Sequence, residues 1–190
     1  MLTSNRAGST KQDPAHAPED PPASHLRLPW DVMSRPRRLE GFNYVGRYRY
    51  FLTFCTRDRL PVFEEGEIAE QTLAQFRRTS TLERFAILAY CLMPEHAHLL
   101  VEGLRIDSDF RRFAKMAKQR SGSAYARSRH ERLWQEGYYE QVLRQEEDAQ
   151  AFAGYIVSSP IRAGLVETPE DYPFIGSDTW TLAELLESVQ

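Results

Sequence analysis

Three observations predict an α+β domain in which helices pack on a central antiparallel sheet. Runs rich in Tyr, Phe, Val, Ile and Leu occur at 44–56, 85–92, 96–102 and 138–144 and suit half-buried strands. Longer segments with apolar residues at helical spacing lie between and after them. The runs 85–92 and 96–102 are separated only by Met93-Pro94-Glu95, most simply a hairpin. The resulting order of strand, helix, strand, strand, helix, strand, helix is that of an antiparallel sheet covered by helices.

The elements follow in chain order. Residues 1–40 read as a disordered, Pro-rich arm: six of the eleven prolines lie here, with few large apolar residues before Leu26, so the segment cannot bury enough surface to fold alone. It ends on Arg35-Pro36-Arg37-Arg38, read first as a solvated linker and second as a phosphate contact. The domain proper spans 41–181. Its first strand, 44–56, leads to a helix over 64–79 with Ile68, Leu73 and Phe76 on one stripe. The hairpin follows, then a long helix over 108–129 with a break expected at Gly122, then the strand at 138–144. A helix over 146–157 opens on acidic residues, as the helix dipole prefers, and Ser159-Pro160 marks its end. Residues 182–190 are read as a C-terminal tail.

Composition narrows the class. A chain of 190 residues, 42% hydrophobic and 27% charged, suits one globular core. No run approaches the roughly 18 apolar residues of a membrane span, and the N-terminus lacks the apolar core of a signal peptide, so a cytoplasmic, membrane-free protein is expected. Cys55 and Cys91 lie in apolar strand-like runs rather than at metal-ligand spacing, which predicts buried thiols. The net charge of -3 argues against blanket nucleic-acid affinity, but nine Lys or Arg against three acids fall between Arg105 and Arg132. Arg111, Lys115 and Lys118 share one helical face, with Arg112 and Arg120 beside it. A basic face usually binds nothing; following directly on the hairpin, it is read here as a path for a phosphate backbone. Trp134, Tyr138 and Tyr139 suit either base stacking or the core.

The chemistry centres on His96-Ala97-His98. Residues i and i+2 of a strand face the same way, so two imidazoles are presented together. On spacing alone the pair reads as half-exposed polar residues. The small Ala97, the apolar flanks and a tyrosine-bearing element downstream favour a ligand pair for a divalent ion near a phosphate. That tyrosine is Tyr155. A phenol is a poor nucleophile at its free pKa near 10, yet beside such a cation it can attack phosphorus. A core tyrosine is the plainer reading of Tyr155 in isolation.

Four ordered blocks carry a resemblance covering about Arg47 to Trp180: Leu92-Met93-Pro94-Glu95-His96-Ala97-His98-Leu99-Leu100; Leu133-Trp134-Gln135-Glu136-Gly137-Tyr138-Tyr139-Glu140-Gln141-Val142-Leu143-Arg144; Tyr155-Ile156-Val157-Ser158-Ser159-Pro160-Ile161-Arg162-Ala163-Gly164-Leu165-Val166; and Asp171-Tyr172-Pro173-Phe174. With them the chain resembles the REP-associated tyrosine transposases, a branch of the single-strand HUH transposases. The resemblance implies a ferredoxin-like HUH nuclease domain, His96 and His98 as ligands of Mg²⁺ or Mn²⁺, and Tyr155 as a nucleophile that forms a 5′-phosphotyrosine with single-stranded hairpin DNA. Two positions depart from the family pattern. Ser159 stands where the family has a metal-ligating Asn, which makes it a weaker third ligand, and Gln141 stands where His is common. Gln141 and Arg144 join Arg111, Arg112, Lys115, Lys118 and Arg120 as expected DNA contacts.

The expected function is therefore metal-dependent strand transfer on single-stranded hairpin DNA, with no small-molecule cofactor and with monomer or dimer left open. The alternative is a catalytically silent DNA-binding protein derived from such an enzyme. An unrelated metal hydrolase built on His96 and His98 would need further His, Asp or Cys ligands nearby.

Overall fold

A computed structural model of the chain describes residues 41–143 and 146–187. The expected arm at 1–40, Arg144, and residues 188–190 of the expected tail lie outside the described residues.

Five strands form one antiparallel sheet in the order β4-β1-β3-β2-β5. They are β1 (Arg49–Cys55), β2 (Phe85–Met93), β3 (His96–Gly103), β4 (Tyr139–Leu143) and the short β5 (Ile175–Gly176). Helix α1 (Gly66–Glu83) connects β1 to β2, α2 (Phe110–Arg129) connects β3 to β4, and α3 (Glu146–Val157) follows β4. A one-turn helix α4 (Ser159–Arg162) and a terminal α5 (Leu182–Glu187) complete the set. The first six elements, β1-α1-β2-β3-α2-β4, with β1 and β3 central, give the predicted α+β, ferredoxin-like plan.

Strand alternation divides the core in two. Tyr50, Leu52 and Phe54 of β1, with Ala97, Leu99 and Val101 of β3, pack against Phe76 of α1 and Phe110, Phe113 and Ala117 of α2. Phe51, Cys91, Met93 and Leu100 look the other way and pack against Phe152, Ala153 and Ile156 of α3 and Leu185 of α5. Because His96 and His98 alternate with Ala97 and Leu99, they share the α3 face with Leu100.

Several boundaries differ from the sequence reading for local reasons. The run 44–56 contributes strand only from Arg49, because Gly46 adopts φ 138 and Val45 makes an isolated bridge to Asp109. That turn meets the end of β3, where a Cβ on Gly103 would lie 2.1 Å from the carbonyl oxygen of Gly46; only glycine allows the approach. Helix α2 runs unbroken through Gly122; Asp109 caps it by accepting from the Arg112 N–H, and His130 ends it in the left-handed conformation. The chain after α3 continues as α4, with Pro160 in its first turn. Part of the expected tail, Leu182–Glu187, is helical and buries Leu185. The Asp171-Tyr172-Pro173-Phe174 block is a strap: Tyr172 Oη donates to the Leu92 carbonyl at 2.8 Å, and the Leu92 N–H donates to the Phe174 carbonyl at 2.9 Å, seating β5 beside β2.

Candidate active site

The hairpin places His96 and His98 at the start of β3 next to β1, opposite Cys55 and Thr53 respectively. Their Nε2 atoms stand 2.9 Å apart. Each ring is held from behind. Nδ1 of His96 donates to Glu95 Oε1 at 2.9 Å, and Nδ1 of His98 lies 2.8 Å from Thr53 Oγ1. His98 is 6% exposed. Burial first, then the neighbouring His96 and the Arg162 and Arg59 guanidiniums, hold its pKa well below the ordinary imidazole value. The hydrogen bond from His96 holds the Glu95 carboxyl below its usual range.

Tyr155 comes from α3 on the same face, its ring centroid 5.6 Å from that of His98 and 6.0 Å from that of Phe51. Burial pushes the phenol up, and the charge and hydrogen bonding of Arg162 pull it back. The guanidinium carbon of Arg162 lies 4.0 Å from the centre of the Tyr155 ring. Nη2 of Arg162 donates to Ser159 Oγ at 2.8 Å, and Nη1 donates to Ser158 Oγ. Ser159 Oγ in turn donates to the Tyr155 carbonyl at 2.9 Å. The serine hydroxyl is thus engaged on both sides within its own helical turn. Gln141 stands on β4 across from Phe51, and its Oε1 accepts from Tyr139 Oη at 3.1 Å.

Two imidazole nitrogens are the donors this face presents to a divalent ion. Neighbouring ligands of an octahedral ion bonded at about 2.0–2.1 Å lie about 3 Å apart, and ions of this class fill their remaining positions with water and substrate phosphate. The 2.9 Å between the two Nε2 atoms matches that spacing, with each Nδ1 anchored by Glu95 or Thr53. Among the described residues, no group of three or more His, Cys, Asp or Glu is assembled to hold a metal.

The basic helix is placed elsewhere. Helix α2 packs on the sheet face opposite His96 and His98. Arg112 Nε donates to Glu83 at 2.7 Å, and Arg120 lies 3.6 Å from the same carboxylate. Arg111 lies over the Tyr44 ring at 4.5 Å. Lys118 donates to the Gln135 carbonyl at 2.7 Å and to that of Gly137, and burial lowers its pKa to about 8. Lys115 is exposed. Trp134 belongs to the core, 5% exposed, with Nε1 donating to Ser121 Oγ at 2.9 Å. Tyr138 packs on Phe54 and Phe110, and Tyr139 on Phe51. Both cysteines are buried and free, as expected.

Sequence reasoning left Thr53, Glu95 and Arg162 without a role. Thr53 is recruited by strand register across a separation of 45 residues, which no local pattern reports. Arg162, two helical turns after Tyr155, carried a usable spacing signal.

Comparison with known proteins shows the family of the chain. The family model described as transposase IS200 like matches residues 44–159. A Haemophilus influenzae protein, provisionally named a REP-associated tyrosine transposase, is 26% identical over 137 residues, covering 66% of this chain and 77% of that protein. The REP-associated tyrosine transposase of Escherichia coli K12 is 29% identical over 91 residues, covering 47% of this chain and 53% of that protein. A solved REP-associated tyrosine transposase bound to a REP hairpin superposes with a TM-score of 0.64 at 24% identity, over 75% of this chain and 82% of its own. No described helix is long and apolar enough to cross a membrane. With the fold, the paired histidines and the facing tyrosine in place, the family match over most of the domain makes this chain a member of the IS200-like transposases, related to the REP-associated tyrosine transposases.

Proposed function

We propose that this chain is a strand transferase that cuts single-stranded, hairpin-bearing DNA through a 5′-phosphotyrosine on Tyr155. The observation that carries the reading is the position of Tyr155 on the His96–His98 face, its ring 5.6 Å from that of His98. Tyr155 Oη attacks the scissile phosphorus; the O–P bond that forms replaces the bond to the upstream 3′ oxygen, and the phenol proton passes through water to that oxygen, which leaves as a 3′-OH. Attack of a 3′-OH on the phosphotyrosine reverses the exchange, so the bond energy is conserved and no nucleotide cofactor is required. Packing of the Tyr155 ring on Phe51 limits the orientations open to the phenol before attack.

His96 and His98 are proposed to hold Mg²⁺ or Mn²⁺, with Ser159 as a weak third donor. When bound, such an ion withdraws charge from the phosphate. Glu95 and Thr53 fix the ring orientations this requires. Gln141, on the same face, offers an amide to the DNA. A REP hairpin is the ligand of the solved relative, and a related hairpin is proposed as the substrate here.

The engagement of Ser159 by the Tyr155 carbonyl and Arg162 favours one second reading, a hairpin-binding protein that does not cut. Incubation with a labelled single-stranded hairpin library and Mn²⁺, followed by denaturing electrophoresis, separates the two. A covalent adduct that disappears in Tyr155→Phe supports the transferase; tight binding without an adduct supports the second reading.

A further inference from the structure

The catalytic face carries a row of contacts with a guanidinium at each end. Arg59 Nη1 lies 4.0 Å from Glu95 Oε1, beyond hydrogen-bond distance, and Glu95 holds His96. His96 meets His98, His98 meets the Tyr155 ring, and Arg162 lies over that ring. The first of these arginines sits in an unusual place. Residues Arg57 to Leu60 form a tight turn closed by the Leu60 N–H on the Arg57 carbonyl at 3.1 Å, with φ 55 at Asp58 and φ 56 at Arg59. Positive φ at both central residues defines a type I′ turn, whose second central position favours glycine. An arginine there is held against its backbone preference, with its side chain 54% exposed. The turn is tied to the histidine hairpin: the Thr56 N–H and Oγ1 both donate to the Glu95 carbonyl, at 3.0 and 2.9 Å, and Oγ1 also reaches the Leu60 carbonyl at 2.8 Å. Arg162 is oriented at the other end by the Ser158 and Ser159 hydroxyls.

We propose that Arg59 and Arg162 form a two-armed phosphate clamp that lays a single-stranded DNA backbone across His96 and His98. The proposal rests on the reading of this face as the strand-transfer site and adds the DNA path to it. A guanidinium fork matches two phosphate oxygens, and two forks flanking the histidines would hold phosphates of one strand on either side of Tyr155. On this path the backbone stays on the α3 side of the sheet, whereas Arg112, Arg120 and Lys118 on the far side serve contacts within the fold.

The test is a salt titration of binding to an oligothymidylate about 20 nucleotides long, longer than the roughly 4–16 nucleotides of common single-strand sites. Full-length wild type is compared with Arg59→Gly, Arg162→Gln, Arg162→Lys, the double variant Arg59→Gly/Arg162→Gln and, on the far face, Arg111→Ala/Lys115→Ala. Each lost guanidinium should lower the slope of log K against log salt by about 0.7, and the double variant by about 1.4, while Arg162→Lys keeps the wild-type slope. Arg59→Gly suits φ 56, so its melting temperature should not fall, and weaker binding then reports the lost charge rather than unfolding. Wild-type slopes in Arg59→Gly and Arg162→Gln would overturn the clamp, as would a slope change confined to Arg111→Ala/Lys115→Ala. The adduct assay is scored separately. Reduced slopes without any wild-type adduct leave the clamp standing and remove the nucleophile; an adduct with unchanged slopes does the reverse.

Discussion

His96 and His98 meet Nε2 to Nε2 at 2.9 Å, so one ring must donate to the other. The chain of partners determines which. The Glu95 carboxylate can only accept, so His96 carries a proton on Nδ1, and its neutral form offers a bare Nε2. His98 therefore donates Nε2–H, and its Nδ1 accepts from the Thr53 hydroxyl. Ligation of an ion through both Nε2 atoms requires His98 to shift its proton to Nδ1, which the rotatable Thr53 hydroxyl can then accept.

The first prediction concerns acid stability. Folded His98 is held well below the ordinary imidazole pKa by burial and by the neighbouring His96, Arg162 and Arg59. In the unfolded chain His98 takes up a proton near pH 6.5, so the unfolded state binds more protons below that pH and folding loses ground on acidification. The contribution is fully present above about pH 6.5 and drains away toward the folded pKa at about 1.4 kcal/mol per pH unit. Glu95 is held below its usual range and stays ionised above pH 5, so it adds nothing in this window. Urea unfolding in chelator between pH 7 and 5 should show this slope in wild type and a flatter one in His98→Gln. Equal slopes would mean that folded His98 titrates normally.

The second prediction concerns Glu95. Its carboxylate fixes the ring of His96 by accepting from Nδ1. Glu95→Ala should weaken Mn²⁺ binding about 10–100-fold, the usual effect of losing an outer-shell partner, while Glu95→Gln retains an acceptor oxygen and recovers part of it. Titration of Mn²⁺ followed by electron paramagnetic resonance measures both. Unchanged affinity in Glu95→Ala would show that His96 is oriented without it.

The sheet and its helices were legible because each element carried its own period. The hairpin was legible from a three-residue link, and α3 from acidic residues at its start. The pairing of His96, His98 and Tyr155 on one face followed from strand alternation once the helix after β4 packed on that face. The face on which α2 packs was not legible. Its charges form an unbroken basic stretch in sequence, but the side of the sheet a helix covers depends on the crossover, and Glu83, 29 residues before Arg112, pairs with it only in the fold. β5 was missed because two residues held by the Tyr172 strap show no alternation.

The third prediction follows for Lys118. Its ammonium joins α2 to the Gln135 and Gly137 carbonyls at the entry to β4. Lys118→Met keeps much of the aliphatic stem and leaves both carbonyls without this donor, so it should cost about 1.5–3 kcal/mol in urea unfolding, the scale of a hydrogen bond to a charged group. The salt dependence of oligothymidylate binding should stay at the wild-type value. A reduced slope with unchanged stability would return Lys118 to the DNA interface.

The last prediction decides what Ser159 contributes. Its hydroxyl donates to the Tyr155 carbonyl and accepts from Arg162, which holds Arg162 over the tyrosine ring but commits the proton and one of the oxygen's two lone pairs within the turn. An Asn at 159 would extend an amide oxygen at helical i+4 spacing from Tyr155. Ser159→Asn should raise both Mn²⁺ affinity and adduct formation, and a gain of about 1.4 kcal/mol would be tenfold in binding. Ser159 is 5% exposed, so the larger side chain must be admitted by local rearrangement, and a wild-type circular dichroism spectrum and melting temperature are the entry condition for the comparison. Tyr155→Phe in the Ser159→Asn background should abolish the adduct while leaving the gain in Mn²⁺ affinity, because it removes the nucleophile and little of the packing on Phe51. If wild type already forms the adduct readily and Asn adds nothing, the two histidines and water complete the ion's shell and Ser159 serves only to orient Arg162.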